Sequence, residues 1–108
     1  MVKHIVMWRL RDGASKTADA HQIKSLLEGL SGKIPGLLKI EVGVNFIDDA
    51  NAADVVLYSE FVDRAALEAY QGHPLHLAVV PEVKARAVER RSVDYFDPGY
   101  PLGGNQAL

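Results

Sequence analysis

Cysteine is absent from the 108 residues. That excludes a disulfide framework, a thiolate nucleophile and a cysteine zinc site, and it leaves the redox compartment unreadable. An excess of either charge is also lacking: twelve Lys and Arg stand against fourteen Asp and Glu, a formal net charge of −2. Such a balance provides no field for nucleic acid or an anionic membrane surface, so neither is expected as a partner. Missing too is any long apolar run. The chain opens on a charged strand pattern instead of an apolar leader or a membrane-spanning stretch, and a cytoplasmic protein is expected. Internal repeats and low-complexity runs are absent, apart from an irregular composition near the end.

What is present suits one domain. With 48% hydrophobic and 24% charged residues, a chain of this length buries about two-thirds of its unfolded surface, enough for a core without staples. The opening "VKHIVMWRL" alternates, with Val2, His4, Val6, Trp8 and Leu10 on one parity and Ile5 and Met7 on the other. Apolar groups on both parities predict a strand covered on both faces. Ser15 is the expected N-cap of a helix over about residues 16–31, where Ile23, Leu26, Leu27 and Leu30 recur at helical spacing before Gly32. "KIPG" predicts a type II turn, with Pro35 fixing its φ and Gly36 supplying a positive one. Strands follow from Leu38 to Val44 and from Val55 to Phe61.

Asp63 then suits the N-cap of a helix that carries Leu67 and Tyr70 and ends near Gly72, and a further helix starts at Pro74. Pro81 predicts a kink or break near Val79 and Val80. "VERRSVDYF" is the last strand, and residues 98–108 read as an irregular tail after a domain of residues 1–97. The order strand, helix, strand, strand, helical segment, strand fits an α+β ferredoxin-like sandwich with both helical layers on one sheet face. The opposite face, carrying Ile5 and Met7, then needs a cover. The simplest is an identical chain, giving a homodimer.

The stretch "HPLH", residues 73–76, raises the functional question. Pro74 suits a first helical position, which makes His73 the N-cap and His76 the third helical residue. Histidine ranks low as an N-cap, so helix initiation alone does not account for His73. His76 lies near the positive helix end, where a cation is disfavoured by about 0.3–1 kcal/mol, and burial would depress its pKa further. Both effects keep it neutral near pH 7, as a general base must be. The structural alternative is a histidine that satisfies free backbone groups, with Tyr70 as a core residue whose hydroxyl reaches the rim. His4 joins the set only if its strand face looks toward the helices. Val6 and Trp8 then line the same interior, Trp8 as either a stacking surface for a ligand or a plug that fills the space. His21 falls opposite the leucine stripe and is assigned to solvent. Asp48 and Asp49 lack further ligands nearby, so no metal site is expected.

Taken together, "VKHIVMWRL", "GKIPGLLKIEVGVN", "SEF" and "LEAYQGHPLH" with the closing "VDYF" resemble the dimeric α/β barrel domain family (Dabb, stress-responsive A/B barrel) over residues 2–96. The resemblance implies a ferredoxin-like protomer that pairs through its sheets into a dimeric α/β barrel. Most members have no assigned reaction, and some are linked to stress responses. A few are polyketide cyclases that work without metal or cofactor, using a tyrosine and the second histidine of a His-Pro-x-His motif; Tyr70 and His76 match these, and His4 matches the strand-one histidine.

Two functions of different kinds therefore follow. In the first, a small aromatic or polyketide-like compound occupies a pocket where His76 is the general base and Tyr70 bonds to the substrate carbonyl. His4 and His73 orient or relay, and Val6 and Trp8 line the wall, with no cofactor. In the second, a non-catalytic dimer, stress-associated or ligand-binding, keeps its histidines for the fold. A cofactor-free monooxygenase of the related barrel class is a third possibility and needs an electron-rich, quinol-like substrate. A cavity of about 300 Å³ or more bordered by His4, Tyr70 and His76 would favour the first; an interior packed solid by Trp8 would favour the second.

Overall fold

Alternation in the first strand sets the architecture. In the computed structural model, which describes residues 1–98, β1 (Val2–Leu10) buries Val2, His4, Val6, Trp8 and Leu10 and turns Met7 and Arg9 outward. β1 lies between β3 (Val55–Phe61) and β4 (Ala87–Phe96), and β2 (Leu37–Val44) pairs with the far side of β3, giving the antiparallel order β2-β3-β1-β4. Register places Leu57 opposite Val6, Ser59 opposite His4 and Phe61 opposite Val2, so the buried parity continues across the sheet. This is the ferredoxin-like arrangement: β1 and β2 run parallel with β3 between them, joined by a helix. Most of the expected tail lies outside the described residues.

Three helices cover that face. They are α1 (Lys16–Glu28), α2 (Arg64–Gly72) and α3 (Pro74–Lys84). α1 contributes Ala20, Ile23 and Leu27 to the core, α2 Leu67 and Tyr70, and α3 Val79 and Val83. Asp63 caps α2 as expected, its carboxylate accepting from the Ala66 N–H at 2.8 Å. Pro35 and Gly36 form the expected turn, with Gly36 at φ +82° and the Leu37 N–H donated to the Ile34 carbonyl. No helix among the described residues is long and apolar enough to cross a membrane.

Three local expectations are corrected. α1 ends at Glu28, not near residue 31, because Leu30 and Ser31 bond to carbonyls three residues back and tighten the chain into turns before Gly32. Ser15 occupies the N-cap position without capping: its hydroxyl is donated to Asp19 instead. α3 runs unbroken through Pro81. Val79 and Val83, buried on either side of the proline, hold both halves against the core, so the missing N–H does not interrupt the element.

Among the described residues, nothing covers the other sheet face. Met7, Val93 and Tyr95 are exposed there, and Ile5 lies directly opposite Val93. β4 is exposed along most of its length. The helical layer leaves a gap beneath α3 on its inner side, and the candidate site occupies that gap.

Candidate functional site

His4 is held from both neighbouring strands. Its backbone carbonyl accepts from the buried Ser59 hydroxyl at 2.8 Å, and its Nδ1–H is donated to the carboxylate of Asp94, its direct cross-strand partner on β4. That bond leaves Nε2 as the acceptor nitrogen. The ring is almost fully buried, in edge contact with Phe61 and Tyr70 at centroid distances of 6.3 Å.

Tyr70 is fully buried on α2, and its hydroxyl has no hydrogen-bond partner among the described residues. Burial pushes its pKa up to about 12, so the phenol holds its proton at neutral pH and is available as a donor. His76 faces it from the first turn of α3, with centroids 4.3 Å apart and ring planes at 41°. The spacing permitted a direct hydrogen bond between the two; they meet through their rings instead. The His76 Nδ1–H is donated to the Gln71 carbonyl at 3.3 Å, which directs Nε2 away from that backbone. Burial lowers the His76 pKa, the Gln71 bond raises it, and the neighbouring His4 and Arg90 lower it again. The net direction is toward the neutral ring.

These side chains border one cavity of about 370 Å³, within the range of ligand sites. Val6, Trp8, Leu57 and Val79 form its apolar wall, and Trp8 flanks the space without filling it. The exposed Lys84 and Arg90 complete the lining where the cavity meets solvent. A second cavity of about 320 Å³ lies across Asp94, lined by Arg64, Glu68 and Gln71 among others. It contains neither histidine nor Tyr70, so the first is where acid/base groups converge.

Of the sequence-predicted residues, His4, Val6, Trp8, Tyr70 and His76 are brought together, and His73 is not. Its Nδ1 accepts the Leu75 N–H at 3.1 Å, so the imidazole caps α3 in place of the usual Ser, Asp or Asn and does not line the cavity. His21, Asp48 and Asp49 are exposed as expected. No group of three or more His, Asp or Glu that could hold a metal is present among the described residues. Sequence reasoning missed Asp94, Lys84 and Arg90. The register that seats Asp94 beside His4 joins residues at opposite ends of the chain, and no local pattern reports it.

The family model for the Stress Responsive A/B Barrel Domain, Dabb, matches residues 2–97. The chain belongs to the Dabb family. Among solved structures, it is similar to a dimeric protein of unknown function with a ferredoxin-like fold from Bacteroides fragilis NCTC 9343. Identity is 35%, covering 87% of this chain and 93% of that one, with a TM-score of 0.77. A dimeric ferredoxin-like protein of unknown function from Thermobifida fusca is 23% identical over 87% and 88% of the two chains, with a TM-score of 0.77. The hydroxynitrile lyase of Passiflora edulis is 20% identical over 93% and 96%, again with a TM-score of 0.77; that likeness is one of fold. No curated protein matches. The cavity described above lies between the sheet and α3.

Proposed function

We propose that this Dabb protein is a homodimer whose sheet–helix cavity binds a small apolar carbonyl compound and carries out cofactor-independent acid/base chemistry on it, of the polyketide cyclase type. The observation that carries this reading is Tyr70: its hydroxyl is buried and has no hydrogen-bond partner among the described residues, and its side chain borders the same cavity as His76. An unsatisfied buried hydroxyl destabilises a fold by about 1–3 kcal/mol, and a ligand carbonyl or enolate oxygen would supply the missing acceptor. His76 Nε2 removes a proton from the carbon next to that carbonyl. The electron pair moves onto the oxygen, where the Tyr70 O–H stabilises the enolate. The enolate carbon can then attack a second carbonyl of the same molecule, and the protonated His76 returns its proton to the new alkoxide. His4, fixed by Asp94, acts as a positioning residue for the ligand and for the Tyr70 ring.

The test is deuterium exchange at the central carbon of an aryl 1,3-diketone in D2O, followed by NMR. Exchange above the buffer rate that falls about tenfold or more in both His76→Gln and Tyr70→Phe supports the reading. Equal rates in the wild type and both variants overturn it.

One observation favours the non-catalytic alternative. His73 and His76 both bond to backbone groups around the α2–α3 junction, as histidines kept for the fold would. Under that reading the exchange rates do not respond to substitution at either cavity residue, and His76→Gln lowers stability instead.

A further inference from the structure

We propose that the ligand of this cavity carries a carboxylate, held by Lys84 and Arg90 at the opening while its apolar body lies against Trp8, Leu57 and Val79. This deepens the preceding reading and rests on its cavity being a small-molecule site.

The charge pattern is one-sided. The cavity is lined by two basic side chains, Lys84 and Arg90, and by no Asp or Glu among the described residues. The two cations come from opposite walls. Lys84 sits in the last turn of α3, and Arg90 projects from β4 as the cross-strand partner of Trp8, on the same face of the sheet. They converge on the gap, and neither forms an ion pair among the described residues, although neighbouring cations do. Arg91, next along the strand, reaches Glu89 at 3.7 Å, and Arg86 reaches Asp19 and Glu82. Among the described residues, the Arg90 guanidinium has one long contact, to the Ser92 hydroxyl at 3.4 Å. A lysine in the last helical turn also suits the helix dipole, but that explains only Lys84. A guanidinium on an edge strand, beside the one tryptophan of the chain and aimed at a histidine-bearing cavity, calls for an anion. The planar guanidinium fork matches a carboxylate, and the flexible lysine adds a second point charge.

A further consequence concerns His76. With the ligand carboxylate paired at the opening, its charge is neutralised away from the base, so the histidine is not stabilised in its protonated form. The apolar wall and cationic opening also orient the ligand, placing its far end toward Tyr70 and His76.

Trp8 is the single tryptophan and lines the cavity, so its emission reports occupancy directly. The probes are 4-butylbenzoate and its neutral isostere 4-butylbenzamide, titrated into the wild type and into the double variant Lys84→Gln/Arg90→Gln. Both substitutions fall on exposed side chains. In the wild type the benzoate is expected to bind about tenfold or more tightly than the benzamide, with the gap narrowing as salt is raised. In the double variant the preference disappears while benzamide affinity stays the same. Equal affinity for the two probes in the wild type, or a preference that survives in the double variant, overturns the carboxylate proposal and leaves the small-molecule cavity standing. Binding of neither probe overturns both.

Discussion

The rings of Tyr70 and His76 lie 4.3 Å apart on either side of the junction between α2 and α3, and the phenol has no hydrogen-bond partner there among the described residues. The short interruption between the helices creates this pairing. His73 has extended backbone angles, φ −70° and ψ 136°, which end α2 and redirect the chain so that the start of α3 faces the end of α2. A continuous helix would hold residues six apart on different faces. The break therefore makes the site, and the histidine that makes the break is outside it.

Tyr70→Phe separates fold from function. Removing a buried hydroxyl that has no partner among the described residues should leave stability unchanged or raise it by up to about 1 kcal/mol, whereas a residue kept for packing and bonding loses stability on truncation. Urea denaturation measures the first effect and diketone exchange the second. Unchanged or greater stability with slower exchange is expected; reduced stability would show that the hydroxyl is satisfied in solution.

His76 gives stability a pH signature. Burial holds its imidazole below the usual 6.5 in the folded chain. Between the folded value and 6.5 the unfolded chain binds the proton more readily, so stability rises with pH through that window and the contribution is complete above about 6.5. Acidification removes it. Thermal melts of the wild type and His76→Gln from pH 5 to 8 should show the wild type losing ground to the variant as pH falls. A difference that stays constant across the series would mean the ring titrates alike in both states.

Parts of this arrangement could be read from the chain and others could not, for physical reasons. The alternation of "VVLYSEF" between turn residues delimits β3 at both ends, and the even parity of β1 correctly gathers His4, Val6 and Trp8 on the helix-facing side. Periodicity extends α1 too far because Leu30 stays buried after the backbone has left the helix, so the apolar pattern outlasts the hydrogen bonding. His73 takes the N-cap position expected of it, and its ring nitrogen caps the helix as a hydroxyl does; preference rankings describe averages and do not register this use of an imidazole. The contacts of Asp94 and Arg90 depend on how the last strand pairs with the first. Register of that kind belongs to the assembled sheet and leaves no local trace.

Asp94→Asn tests whether His4 is oriented from β4. The amide replaces a charge-assisted acceptor by a neutral one, and it frees the imidazole to adopt its other tautomer. Because Asp94 is partly exposed, the stability loss should be small, on the order of 1 kcal/mol. The sharper readout is NMR: the wild type should show a strongly downfield His4 Nδ1–H resonance that is missing in Asp94→Asn. Persistence of that resonance in the variant would assign its acceptor elsewhere.

Gly36 sets the distance between β2 and α2. Its φ of +82° disfavours any L side chain, and an added Cβ would lie 2.5 Å from the Ala66 Cβ. Gly36→Ala therefore meets both backbone strain and a clash with a helix that is capped in place by Asp63, and a loss of roughly 2–4 kcal/mol is expected. Gly32→Ala is the control: φ is +75° there but nothing lies within 4 Å, so backbone strain acts alone and the loss should be about half. Equal losses at the two positions would mean that α2 yields without resistance.

The uncovered sheet face carries the dimer prediction. Ile5 is paired with Val93, and Met7 with Val56, along one apolar surface that nothing else among the described residues shields. A cavity of about 450 Å³ bordered by Met7, Val44, Phe46 and Val56 extends that surface beyond the sheet. In a twofold interface each residue near the axis meets its own counterpart, so one substitution places two like charges in contact. Val93→Glu should weaken dimerisation by about a hundredfold or more while leaving the far-UV circular dichroism unchanged, because the residue is half-exposed in the single chain. Met7→Glu is a weaker variant, since Arg91 stands opposite it on β4 and can pair with the new carboxylate. Sedimentation equilibrium distinguishes the cases: a dimeric wild type and a monomeric Val93→Glu are expected. A wild type that remains monomeric at tens of micromolar would refute pairing through this face, as would a Val93→Glu variant that stays fully dimeric.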